Sequence, residues 1–94
     1  MSMNTKSIIQ KDMSKCYLCG AIDNLHVHHV IHGTANRKKS DKYGLVIRVC
    51  AYHHDIIHNH DSALDLALKK TAQREFEKRY GHFEFMEVFG KNYL

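Results

Sequence analysis

Residues 45–58 read LVIRVCAYHHDIIH and determine the order of the central predicted elements. Residues 45–49 follow a glycine and are rich in β-branched side chains, which is typical of a strand. Residues 50–53 are then predicted to form a turn, and residues 54–58 to begin a short helix. The stretch therefore predicts a strand, a turn and a helix in direct succession.

A partner strand is predicted upstream of this stretch. Residues 25–28 alternate apolar side chains with histidines, which is the period-two pattern of a short strand. After His29, a polar and basic loop is predicted to reach about residue 43. Strand, loop, strand and helix together predict a ββα unit within a small α+β fold.

Downstream, apolar residues recur every four positions between charged residues, as on one face of an amphipathic helix. This face comprises Leu64, Leu68, Ala72, Phe76 and Tyr80. Asp61 or Ser62 is predicted to cap the helix at its start, and Gly81 to end it. Residues 83–89 are predicted to form a short apolar helix that folds back on the core.

A chain of 94 residues is too short to build two independent cores, so a single domain is predicted. We divide it into an N-terminal arm (1–15), a core (16–60) and a C-terminal helical segment (61–94). Its content of 44% hydrophobic and 26% charged residues is typical of a folded protein. The sequence lacks the roughly 20 apolar residues of a membrane span and the apolar stretch of a signal peptide. We therefore expect a cytosolic protein with no membrane partner.

The three cysteines predict a structural zinc site. An odd number of thiols in a reducing compartment favours metal ligation over a disulfide framework. Cys16 and Cys19 are separated by two residues; Cys50 and His53 repeat that spacing, and two such turns close a tetrahedral zinc site. His54 is an alternative fourth ligand because it also follows Cys50 closely. In another interpretation one cysteine pair is accidental and Cys50 is a small buried apolar residue.

Histidine is the unusual residue in this composition, with nine copies. His54 and His58 lie four positions apart on one face of the predicted helix, where they could chelate one divalent cation. His28 would be the third ligand and leave positions open for water and a phosphate oxygen, as a catalytic site requires. His29 would stay free of metal, and a neutral imidazole is a suitable general base at neutral pH.

The strand geometry sets a condition on this site. In an ideal strand His28 and His29 point to opposite faces, so both reach one site only if the strand ends or bulges there. His32 follows the pair by three residues and is a candidate for a substitute base or ligand. His26, His60 and His82 are predicted to be solvated or to lie in the core. The same is predicted for His32 where it does not act as such a substitute. In the alternative interpretation no histidine binds a metal.

The net charge is +4, and much of the basic excess lies in residues 34–43. This excess points to an anionic partner such as nucleic acid. The side chains predicted to hold a DNA backbone without reading its sequence are Arg37, Lys38, Lys39, Lys42 and Arg48. The alternative is a solvated loop without a partner.

The histidine and cysteine pattern resembles an HNH endonuclease of the His-Me finger (ββα-metal) superfamily. The matching residues are His28, His29, residues 50–54, His58 and residues 16–19. Residues 25–37 and 90–93, with Ser40 and residues 43–45, are further similar to small HNH-like proteins of bacteriophages and prophages. The resemblance implies a small zinc-stabilised ββα-metal domain with C-terminal helices, located in the cytoplasm of a bacterial host cell.

The resemblance also implies metal-dependent hydrolysis of phosphodiester bonds in DNA, by nicking or cleavage. His29 would deprotonate the attacking water. The divalent cation, Mg²⁺, Mn²⁺, Ni²⁺ or Zn²⁺, would be held by His28, His54 and His58. Products of the family usually carry 5′-phosphate and 3′-hydroxyl ends. Besides DNA, the expected partners are a second copy of the chain or another phage protein.

The sequence departs from the family at the middle letter of the motif. The expected Asn is replaced by Leu45, so Asn36, Ser40 or a backbone carbonyl would have to orient His29, or activity would be low. A competing hypothesis is a zinc-ribbon module that binds DNA or protein and whose histidines never activate water. A third is a zinc-held adaptor of a phage complex that docks through its C-terminal helices.

Overall fold

The structure, a computed structural model, describes residues 6–94 and has an α+β architecture. Its elements, in chain order, are strand β1 (Leu25–His29), helix α1 (Thr34–Tyr43), strand β2 (Val46–Cys50) and helices α2 (Ala51–Asn59), α3 (Ser62–Tyr80) and α4 (His82–Phe89). The two strands form one antiparallel sheet. Among residues 6–94, no helix is long and apolar enough to pass through a bilayer.

The sheet brings the end of β1 beside the start of β2. Leu25 pairs with Cys50, and His29 pairs with Val46. All but one of the β2 side chains are buried, and Leu45, which precedes the strand, is fully buried as well. The register therefore places β1 next to the junction of β2 and α2. The turn predicted over residues 50–53 is wrong, because Cys50 ends β2 and α2 begins at Ala51.

The prediction of a loop between the strands is wrong over most of its length, because residues 34–43 form helix α1. Gly33 precedes the helix with a φ of 107°, and Gly44 ends it in the left-handed region with a φ of 74°. Ser40 is buried, and its hydroxyl donates to the backbone oxygen of Ile31 at 2.7 Å. The helix has few buried side chains, so its sequence lacks the apolar periodicity that predicts a helix. The order of elements is therefore βαβα rather than ββα.

Helices α3 and α4 supply the aromatic part of the core and follow the predicted pattern. Asp61 caps α3 by accepting a hydrogen bond from the backbone amide of Leu64 at 2.9 Å. Phe76 of α3 and Phe85 of α4 are fully buried, with ring centroids 5.3 Å apart. Tyr80, at the end of the predicted apolar face, remains half exposed. The apolar C-terminal segment thus packs against α3 as expected.

The described part of the predicted arm, residues 6–15, contacts strand β2 and the glycine that precedes it. Residues 1–5 of the arm lie outside the described part of the chain. The backbone amide of Ile8 donates to the oxygen of Gly44 at 2.9 Å. The side-chain oxygen of Gln10 accepts from the backbone amide of Arg48 at 2.7 Å. A Cβ atom on Gly44 would lie 2.7 Å from the backbone oxygen of Lys6, so the close approach of the arm requires glycine at this position.

Candidate functional site

Among residues 6–94, two groups of side chains could each hold a metal ion, and α2 contributes to both. The first consists of Cys16, Cys19, Cys50 and His53, whose ligand atoms all lie within 4.8 Å of one another. The Sγ atoms of Cys19 and Cys50 are 3.9 Å apart, and Cys50 Sγ is 3.4 Å from His53 Nδ1. Zinc–sulfur bonds of about 2.3 Å in a tetrahedron place two sulfurs about 3.8 Å apart. The spacing is therefore consistent with a zinc site.

Backbone hydrogen bonds hold the cysteine turn against the sheet. The amide of Cys16 donates to the oxygen of Ala21 at 2.7 Å, and that of Tyr17 donates to the oxygen of Arg48 at 2.7 Å. Burial would raise the pKa of the Cys16 thiol, but backbone amides, first that of Cys50 and then that of Cys19, lower this pKa to about 6. The thiolate is the form that binds a metal. The turn is thus prepared to present a charged ligand at neutral pH.

The second group consists of His28 on β1 and His54 and His58 on α2, again with ligand atoms within 4.8 Å of one another. The Nε2 atoms of His54 and His58 lie 3.1 Å apart. Two nitrogens bound at 2.0–2.1 Å to one tetrahedral ion would lie about 3.3 Å apart. His28, His54 and His58 therefore lie together, as predicted from their spacing on β1 and α2. His54 belongs to this group and not to the cysteine group.

His28 gives the strongest indication that the three-histidine group binds a cation. Its side chain is 1% exposed, and neither ring nitrogen has a hydrogen-bond partner among residues 6–94. Burial of a polar group without a partner is costly, so a cation would account for this position. Burial, and then the neighbouring His58 and His54, lowers the pKa of His28 to about 3. The ring is therefore neutral at physiological pH, which is the form that ligates a metal.

His29 opens onto the same cleft because β1 ends at this residue. Its Nε2 atom lies 3.1 Å from the Oδ1 atom of Asp41, which is on α1. Of the substitutes predicted for the motif Asn, the two side chains bond elsewhere: Asn36 donates to the backbone oxygen of His32, and Ser40 donates to that of Ile31. The carboxylate beside His29 is that of Asp41, which a loop over residues 34–43 did not predict because the contact depends on helix α1.

The cleft around these histidines has a volume of about 750 Å³. It is lined by the three-histidine group, by the His29–Asp41 pair, and by the first turns of α1, including Arg37 and Lys38. The other predicted basic residues are not part of its lining: Lys39, Lys42 and Arg48. The ammonium group of Lys42 instead lies over the ring of Tyr43, 5.5 Å from its centroid. The cleft therefore combines several imidazoles with two cationic side chains.

Two histidines that were predicted to be solvated or in the core contact this group. The Nδ1 atoms of His26 and His54 lie 2.9 Å apart. His32 lines the cleft, and its Nε2 atom lies 3.0 Å from the Oδ1 atom of Asp65. The strand register could have identified His26, since it shares a face of β1 with His28. The two others remain at the surface beside carboxylates, His60 near Asp55 and His82 near Glu77.

The comparisons with known proteins add no relative. Searches of this chain against family models, curated proteins and solved structures give no match. Its metal-binding geometry is therefore the basis for a functional assignment.

Proposed function

We propose that this protein is an HNH-type, metal-dependent DNA endonuclease that hydrolyses phosphodiester bonds by nicking or cleavage. One observation carries the proposal: an open group of three histidines shares a basic cleft with a fourth histidine that is held by a carboxylate. The ligands are His28, His54 and His58. The fourth histidine is His29, beside Asp41. The resemblance to the ββα-metal superfamily supports the same assignment.

The two metal groups differ in the way that structural and catalytic sites differ. The cysteine group offers four protein ligands and would leave no position for a substrate. The histidine group offers three, so a cation held there would keep a position open for the substrate. When bound there, a divalent cation supplies positive charge that offsets the charge developing on the phosphate. Neutral imidazoles preserve that charge, whereas thiolates would reduce it.

The residues of the cleft take complementary parts in the proposed hydrolysis. Arg37 and Lys38 bind phosphates of the DNA backbone. His29 accepts a proton from the attacking water, and Asp41 holds its ring in the orientation that this transfer requires. The water oxygen bonds to phosphorus while the bond from phosphorus to the 3′ oxygen breaks. That oxygen then takes a proton from solvent, which leaves the 5′-phosphate and 3′-hydroxyl ends expected from the resemblance.

Nicking of supercoiled plasmid tests the assignment. We expect zinc-loaded protein to nick plasmid in the presence of Mg²⁺, Mn²⁺ or Ni²⁺ and not in the presence of a chelator. His29→Ala should abolish nicking while it retains the fold and DNA binding. His60→Ala is the matched control, because His60 is an exposed histidine beside Asp55 and outside the cleft. Undiminished cleavage by His29→Ala would remove His29 from the mechanism.

A non-catalytic zinc module is the second candidate, and the complete set of cysteine-group ligands favours it independently of the three-histidine group. Metal stoichiometry separates the two functions. Two ions per chain, of which one exchanges readily, support the nuclease. One tightly held zinc and no second site support the module. The same protein samples can be tested for self-association and for binding to another phage protein.

A further inference from the structure

His26 lies beside the three-histidine group without belonging to it. It is two residues before His28 on β1, so both side chains project from the same face of the sheet. The Nδ1 atoms of His26 and His54 are 2.9 Å apart, and the rings meet edge to face at 87°. This distance is that of a hydrogen bond between two imidazoles.

The tautomer of His54 decides which nitrogen can bind a cation. A neutral imidazole has one N–H donor and one acceptor nitrogen. The Nε2 atom of His54 lies 3.1 Å from the Nε2 atom of His58, another member of the three-histidine group. If Nε2 of His54 keeps its lone pair for the ion, Nδ1 must carry the hydrogen. That hydrogen then points at His26 Nδ1, which accepts it.

We infer that His26 is a positioning residue: it accepts a hydrogen bond from Nδ1 of His54 and thereby directs the Nε2 lone pair of His54 at the cation. The inference rests on the cation site of the proposed function. Ligating histidines usually donate their second N–H to a carboxylate or a backbone oxygen, and the partner here is a second histidine. His26 itself is exposed, so a role in packing the core does not explain its contact with His54.

Two substitutions separate this role from a structural one. His26→Leu removes the acceptor, whereas His26→Asn places a side-chain oxygen near the position of Nδ1 and retains it. We expect His26→Leu to lower the affinity of the zinc-loaded protein for Ni²⁺ by about 10- to 100-fold, as loss of such partners does. His26→Asn should stay close to wild type. His60→Leu, which alters an exposed histidine beside Asp55, is the control.

Calorimetric titration with Ni²⁺ measures the affinities, and long-range proton–nitrogen NMR spectra of the ring of His54 report its tautomer without added cation. Wild type and His26→Asn should hold His54 as the Nδ1–H tautomer, and His26→Leu should show a mixture. Absence of any Ni²⁺ binding by wild type would overturn the cation site and this inference together. Equal binding and an unchanged tautomer in His26→Leu would overturn the inference alone. Equal loss in both variants would also overturn it, since His26 would then be a ligand.

Discussion

At the scale of single residues, the ligand sets follow from sequence spacing, but the partners of those ligands do not. The spacing of Cys16 and Cys19, or of His54 and His58, is local and is visible in the sequence. The contact between His29 and Asp41 joins residues 12 positions apart, and that between His26 and His54 joins residues 28 positions apart. Such contacts depend on how α1 and α2 pack against β1, which no local pattern specifies.

Asp41 should matter to catalysis through His29. Asp41→Asn keeps the size of the side chain but removes the charge that stabilises a protonated imidazole and fixes its orientation. We expect the single-turnover nicking rate to fall by about 10-fold or more, up to the roughly 10²- to 10⁴-fold that a general base contributes. DNA affinity and Ni²⁺ affinity should be retained.

The matched control for this substitution is Asp55→Asn, since Asp55 also lies beside a histidine, His60, but at an exposed position outside the cleft. Its nicking rate should equal that of wild type. If Asp41→Asn nicks at the wild-type rate, the carboxylate has no part in the chemistry.

His28 should be required for cation binding and dispensable for folding. Its two buried nitrogens have no hydrogen-bond partner in the described part of the chain and so destabilise the cation-free fold; replacing such groups by an apolar side chain of similar size can be neutral or stabilising. We expect zinc-loaded His28→Leu to melt at or above the temperature of wild type and to bind no Ni²⁺. Calorimetry measures both quantities. A marked loss of stability would show that the nitrogens are satisfied in the protein.

At the scale of elements, apolar periodicity predicts the parts of the chain that bury a face. It identifies both strands, α3 and the apolar α4, although β2 begins at Val46 rather than at residue 45. It fails for α1, whose side chains are mostly exposed or half-buried. The informative signal there is the pair Gly33 and Gly44, both with positive φ, which bracket the helix. Glycines at helix ends can therefore reveal a helix that periodicity does not.

Because the two metal groups share helix α2, we expect the three-histidine group to depend on the cysteine group, but not the reverse. His53 lies in its first turn and belongs to the cysteine group, while His54 and His58 line the cleft. Loss of the zinc group should therefore displace both histidines of the second group. Loss of the cleft cation should leave the first turn of α2 held in place by zinc.

Cys19→Ala and His58→Ala test this asymmetry. Cys19 is exposed, so its replacement removes a ligand with little loss of packing. A structural zinc contributes on the order of 10 kcal/mol of apparent binding energy, so Cys19→Ala should melt at a much lower temperature and lose affinity for Ni²⁺. His58→Ala should lose Ni²⁺ binding and keep its zinc. Elemental analysis and thermal melting measure these outcomes, and an unaltered zinc content and melting temperature in Cys19→Ala would contradict the zinc assignment.

At the scale of the whole molecule, the distribution of charge matters more than the net value of +4. Helix α1 carries four of the basic side chains predicted to contact DNA. Arg37 and Lys38 line the cleft, whereas Lys39 and Lys42 do not. The helix therefore offers two pairs of cations that contribute equally to the net charge and differ in their position relative to the proposed site.

This difference gives a prediction for DNA binding. Neutralisation of each phosphate releases counterions, so the logarithm of affinity falls with the logarithm of salt concentration by about 0.9 per contact on duplex DNA. The double variant Arg37→Ala with Lys38→Ala should bind a short duplex more weakly and reduce this slope by between about 1 and 2. Lys39→Ala with Lys42→Ala removes the same charge and should change the slope less. Fluorescence anisotropy across a salt series measures both variants. Equal losses of DNA affinity in the two double variants would mean that net charge alone attracts DNA and that the cleft makes no specific contact with the phosphate backbone.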